Sequence, residues 1–384
     1  MLYHAISFDA QTVEHNAFHF DGGLLAQLRQ FKNGPVHVLV SEVVISEIQK
    51  HLTEKTRGAR DAIEAAHKKG LDFGLKTPAE PAFPGGEPDI RAVARSRLQM
   101  FLRDIGAEAV GFDGVSVKDI MKMYFTPSPP FSASGKKKSE FPDAIALLSL
   151  EAWAKTNGRR VLAVSGDKDW TAYANNSEWI DVVEDLSEAL EQLQEHTNEA
   201  ERIVARLLNA MEDGSLETLA QDFTHQLEYE ISGYAIDAEA EAAYHIDYEQ
   251  ADITYTSHTF AGDSEDRDIT IVQVQQNKIV ALLAAEISVR AEATFSLSIY
   301  DSIDKDYVPL GSANVARDDV IEVSILATFE GDFQDSSVSI THLELVDVPS
   351  SIDFGYIEPD YGEERYEFWE DEQEPTAPVE TEEF

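Results

Sequence analysis

Five acidic residues stand where the chain leaves short apolar runs. Asp9 ends Ala5-Ile6-Ser7-Phe8, and Glu47 lies in Val43-Val44-Ile45-Ser46-Glu47-Ile48. Asp143 opens Pro142-Asp143-Ala144-Ile145-Ala146-Leu147, and Asp167 and Asp169 follow Val161-Leu162-Ala163-Val164-Ser165-Gly166. In a parallel sheet such strand ends converge on one crevice. Carboxylates crowded there repel one another, at a cost on the order of several kcal/mol when partly buried, unless a divalent cation neutralises them. Hard oxygen ligands select Mg²⁺ or Mn²⁺, which bind water and a substrate phosphate together. Singly, each acid has a plainer role: Asp143 at a helix start, Asp167 in a turn, Glu47 on a solvent-facing helix. Together the set points to a metal site, with Asp9, Glu47, Asp143 and Asp167 as ligands and Asp169 behind them.

The elements that must hold these acids alternate between two patterns. Tyr3–Phe8, Val36–Val40, Arg160–Ser165 and Trp179–Val183 read as strands. Ser41–Thr53, Arg57–Lys69, Asp89–Ile105, Phe141–Lys155 and Leu186–Gln194 read as helices, the first with Val44, Ile45, Ile48 and Leu52 on one face. Alternation of this kind predicts an α/β domain over residues 1–195, a parallel sheet with helices on both faces. Two loops rich in proline and glycine interrupt it, Thr77–Pro88 and Thr126–Lys138. An acidic amphipathic helix over Asn198–Asp222 is the expected connector, 196–222. From 223 to 350 the period changes to two, as in Ala293, Phe295, Leu297 and Ile299, or Ile321, Val323, Ile325, Ala327 and Phe329. That pattern predicts an all-β, antiparallel, sandwich-like domain. Residues 351–384 read as an acidic, disordered tail, with 13 acids against one base, Arg365, from Asp353 onward.

Charge divides the chain in the same way. Of the formal net −42, residues 1–195 carry −6 (22 Lys and Arg against 28 Asp and Glu) and residues 196–384 carry −36 (8 against 44). A field of that sign repels phosphate backbones, so contact with nucleic acid must come from the first part or through metal ions. The cationic candidates are Arg91, Arg95, Arg97 and Arg103 on one expected helix, and Lys136, Lys137 and Lys138 just before Asp143. A chain without cysteine has no disulfide scaffold, zinc finger or thiol nucleophile, and fits a reducing compartment. The N-terminus lacks the basic and apolar regions of a signal peptide, and no apolar run is long enough to span a bilayer. The expected location is therefore cytoplasmic, with no membrane partner.

The four acids in this order resemble the PIN-domain nucleases over roughly residues 1–195. Ser165-Gly166-Asp167-Lys168-Asp169-Trp170 is similar to that family's Ser-Asn-Asp-Lys-Asp-Phe turn. Lys137-Lys138-Ser139-Glu140-Phe141-Pro142-Asp143-Ala144 resembles a bacterial branch in which Lys and Glu precede the Asp. The resemblance implies a metal-dependent phosphodiesterase acting on RNA or single-stranded nucleic acid, often a toxin or defence endoribonuclease. It covers nothing in the second half, where a protein partner or self-association through the acidic β domain is the alternative use of the charge.

Two competing readings come from other classes. A haloacid-dehalogenase-like phosphatase would use Asp9 as nucleophile, but Gln11 stands where that chemistry needs a second Asp as general acid, and an amide transfers no proton. A non-catalytic scaffold presenting the acidic β domain as a binding module leaves the acid set without a role.

Overall fold

A computed structural model describes residues 3–75, 86–131, 140–194, 196–248, 251–264, 266–303, 305–333 and 337–358. Lys136, Lys137 and Lys138 lie outside the described residues, as does 359–384. The N-terminal part runs β1 (Ala5–Phe8), α1 (Ala10–His15), α2 (Gly23–Gln27), β2 (His37–Ser41), α3 (Glu42–Asp72), α4 (Glu87–Asp104), β3 (Glu108–Val110), α5 (Val117–Phe125), α6 (Phe141–Asn157), β4 (Val161–Val164), α7 (Lys168–Ala174), β5 (Ile180–Val183) and α8 (Leu186–Gln192). Its five strands form a parallel sheet in the order β3-β2-β1-β4-β5. The central strand β1 pairs Ile6 with Val38 on one side and with Leu162 on the other. Ala5, Ile6 and Phe8 are fully buried there, as expected of a strand covered on both faces.

Several elements depart from the sequence expectation. The two helices expected over 41–53 and 57–69 are one 31-residue helix, α3. Thr53 and Thr56, which look like interruptions, bond their hydroxyls to the carbonyls of Gln49 and Leu52 and so stay inside the helix. The connector expected as one helix is two, α9 (Thr197–Glu212) and α10 (Glu217–Ser232), parted at Gly214, whose φ of +80° suits glycine. Asp213 caps the break by accepting the Ser215 amide at 2.8 Å.

Beyond α10 the strands are β6 (Asp237–Glu241), β7 (His245–Tyr248), β8 (Asp252–Phe260), β9 (Ile269–Gln275), β10 (Lys278–Asp301), β11 (Asp306–Asp332), β12 (Ser337–Val346) and β13 (Ser351–Tyr356). The C-terminal region is antiparallel β, as β9 with β10, β11 with β12 and β10 with β7 show. One pair differs: β6 and β13 run parallel. β13 also occupies the start of the segment expected as a tail, because Ile352 and Phe354 alternate inward and are buried.

The chain divides into two compact units. The first comprises Met1–Tyr234, Thr254–Val289 and Val320–Pro349; the second comprises Ala235–Ile253, Arg290–Asp319 and Ser350–Phe384. In the first unit, Val272, Val280 and Leu326 join the same hydrophobic cluster as Ile6, Phe8 and Val164, so β9, the start of β10 and the end of β11 share a core with the α/β sheet. α8 and α9 pack on β9, and α10 packs on β12. In the second unit Phe295 and Phe354 meet edge to face at 5.4 Å. Among the described residues no helix is long and apolar enough to cross a membrane.

Candidate active site

Asp9 leaves β1 with its backbone N–H still bonded to Val164 O at 3.1 Å, which fixes it against the end of β4. It also caps α1: its Oδ1 accepts the Thr12 amide at 2.6 Å and the Thr12 hydroxyl at 2.7 Å. Its Oδ2 accepts the Ser165 hydroxyl at 2.5 Å. Ser165 Oγ in turn accepts the Asp167 amide at 3.1 Å, so the ends of β1 and β4 are tied through one serine. Asp9 is 6% exposed, and these donors are what make a buried carboxylate tolerable.

Asp167 caps α7, its Oδ1 accepting the Asp169 amide at 2.8 Å. One turn on, Trp170 is fully buried and its indole N–H donates to Asp143 Oδ1 at 2.9 Å. Asp143 sits in the first turn of α6, after Pro142, where its charge opposes the helix dipole favourably.

The electrostatics join the acids. Burial raises the Asp143 carboxyl from 3.8 to about 6, the Trp170 bond works against that, and the charges of Glu47, Asp167 and Asp9 add to it. Burial likewise raises Glu47, with His51 and Lys50 lowering it and Asp9 raising it. Asp169 is raised by burial, then by Asp167 and Glu140. Asp143 therefore feels Glu47, Asp167 and Asp9, and Glu47 feels Asp9, across the carboxyl ends of β1, β2 and β4, while Asp169 stands on the Asp167 and Glu140 side. Among the described residues, however, no three His, Asp or Glu groups stand close enough as placed to hold a metal ion.

The cationic residues separate into two kinds. Arg91 and Arg95 line a cleft of about 380 Å³ between α3 and α4, together with Lys50 and Arg57. Lys50 is one turn from Glu47, so the cleft adjoins the acids. Arg97 does not serve that approach: it donates to Phe18 O at 2.9 Å and lies over the Phe20 ring at 5.2 Å, holding the α1–α2 loop to α4. Arg103 sits beside Asp104.

Residues 6–170 match the family model of the PIN domain. This stretch is a PIN domain. No curated protein and no solved structure matches the chain. PIN domains are generally nucleases that use divalent metals, and the matched span contains all five acids singled out above. Three further residues bond to the candidate acids of this PIN domain: Thr12, Ser165 and Trp170. Thr12 carried a legible signal, an Asp followed three residues later by Thr at a helix start. Trp170 and Ser165 read only as the two ends of one turn motif; their bonds to Asp143 and Asp9 bridge 27 and 156 residues of sequence.

Proposed function

We propose that the protein is a metal-dependent endoribonuclease of toxin or defence type that hydrolyses phosphodiester bonds in single-stranded RNA in the cytoplasm. The observation that carries the reading is the placement of the part-buried Asp143, bonded to the Trp170 indole, where burial first and then the charges of Glu47, Asp167 and Asp9 raise its carboxyl to about 6. Carboxylates gathered at the ends of neighbouring parallel strands suit a hard divalent cation, Mg²⁺ or Mn²⁺, and an ionised carboxylate that accepts three hydrogen bonds, as Asp9 does, retains about one lone pair for it. Asp9, Glu47, Asp143 and Asp167 would hold the ion. When bound, it makes a coordinated water acidic enough to supply hydroxide at neutral pH and offsets phosphate charge.

The chain's own residues do the rest. Thr12 and Ser165 orient Asp9, and the Trp170 indole fixes Asp143, so that both carboxylates present one rotamer each. The cleft of Arg91 and Arg95, with Lys50 and Arg57, and the sequence Lys136-Lys137-Lys138 attract the strand in a chain otherwise hostile to phosphate. The phosphatase alternative gains no support here: Asp9 has both oxygens engaged and is 6% exposed, poor qualities in a nucleophile. Incubation of the full chain with a labelled single-stranded RNA and Mg²⁺ or Mn²⁺ should yield internal cuts that EDTA prevents; intact RNA under every metal condition would refute the reading.

A further inference from the structure

A second hollow, distinct from the acid crevice, adjoins it within the same compact unit. It is a cavity of about 350 Å³, within the size range of small-ligand sites. One wall contains Gly166, the residue between Ser165 and Asp167, and Gln11, two residues after Asp9. The second half of the chain contributes to the lining through Leu282 of β10 and Ser324 of β11. Leu186 at the start of α8 adds apolar surface. Thus strands with no counterpart in the matched PIN span complete a cavity against the turn that carries Asp167.

The charge of the lining selects what can enter. Glu184, Asp185 and Asp347 line it, and among the described lining residues no Lys or Arg does; His15, 4.0 Å from Asp347, is the basic neighbour. A phosphate is repelled by such a wall, whereas the neutral, flat, donor-bearing part of a nucleotide is not. In a single strand the Watson–Crick edge is free to be read. Guanine presents N1–H and N2–H side by side, matching the two oxygens of one carboxylate, while adenine, cytosine and uracil each present donors at one edge position only. Leucines and amide and hydroxyl groups supply the remainder of a base site: apolar contact for the ring, hydrogen bonds for its acceptors.

We propose that this cavity is a guanine subsite, which gives the strands of the second half a role in choosing where the RNA is cut. The proposal rests on the nuclease reading for its consequence, but not for its binding test. The full wild-type chain in EDTA, so that no cutting intervenes, is titrated with labelled five-nucleotide RNAs of adenosine whose central base is guanine, hypoxanthine, adenine, cytosine or uracil. Guanine should bind about tenfold or more tightly than adenine, cytosine or uracil, the range of one bidentate base contact. Hypoxanthine, which lacks only the 2-amino group, should lose most of that advantage. The charge-free variant Glu184→Gln, Asp185→Asn, Asp347→Asn should bind all five alike. Affinities for the five wild-type probes within twofold, or no binding of any, overturn the guanine subsite. The hypoxanthine comparison decides the matter even if the triple variant does not fold. With metal restored, uniform cutting along mixed-sequence RNA sinks the subsite and leaves the nuclease; selective guanine binding with no cutting sinks the nuclease and leaves the subsite.

Discussion

Replacing Asp143 by Asn separates what the partly buried carboxyl costs the fold from what it contributes to function. In the folded chain the group titrates near 6 rather than 3.8, chiefly because it is buried and then because Glu47, Asp167 and Asp9 surround it. Between about pH 4 and pH 6 the folded chain therefore binds more protons than the unfolded one, so stability falls as pH rises through that window. At 1.36 kcal/mol per pKa unit the penalty above pH 6 is at most about 3 kcal/mol, reduced by the residual solvent access of the side chain. Asn is nearly isosteric, carries no charge, and its carbonyl can still accept the Trp170 indole N–H. In EDTA at pH 7.5, Asp143→Asn should thus be more stable than wild type by about 1–3 kcal/mol, and the gap should close toward pH 4. Urea unfolding followed by tryptophan fluorescence at several pH values measures this. Adding Mn²⁺ should raise wild-type stability and shrink the advantage of the variant, since a ligand that binds only the folded state stabilises it. A variant less stable than wild type at pH 7.5, or a gap independent of pH, would refute the argument that repulsion and burial dominate at this residue.

Trp170→Phe removes the one contact that lowers Asp143, so the pH above which metal binds should move upward, while lost packing costs about 1–3 kcal/mol; a metal-binding pH profile identical to wild type would contradict the positioning role. Alanine at Lys136, Lys137 and Lys138 together should weaken RNA binding and flatten its salt dependence by up to about two units of slope, read from anisotropy titrations at several salt concentrations, with the single-turnover rate at saturating RNA spared. Removing residues 359–384, which carry most of the acids that follow Asp353, should raise cleavage at low salt if that segment competes with RNA for the cationic cleft, an advantage that should fade toward about 0.5 M salt; equal rates at every salt concentration would exclude the competition.

Much of the α/β sheet was legible because a strand buried on both faces is written as a continuous apolar run. Val161–Val164 is such a run, and Ala5–Phe8 is one but for Ser7; the acids that follow them stand out for the same reason. Short helices were not legible: α1, α2 and α7 have five to seven residues, too few for a period to show. Arg97 illustrates a different limit. It shares a helix with Arg91 and Arg95, which suggests a common cationic role, yet two residues beyond Arg95 it lies on another face, where it meets the loop carbonyl of Phe18 and the ring of Phe20. The union of Val272, Val280 and Leu326 with the core around β1 lies furthest from local pattern, because alternation marks which face of a strand is apolar and not what covers it. The cavity walled by Leu282 and Ser324 follows from that union and has no trace in either segment alone.

The most direct test of the central claim is cleavage of an internally quenched single-stranded RNA by the full chain, with Mg²⁺ or Mn²⁺ added or chelated, in wild type, Asp9→Asn and Asp143→Asn. Circular dichroism on the same samples establishes that each is folded. The account predicts metal-dependent cleavage by wild type and a loss of at least about a hundredfold in each folded variant. Wild-type rates in either folded variant at saturating metal would contradict it.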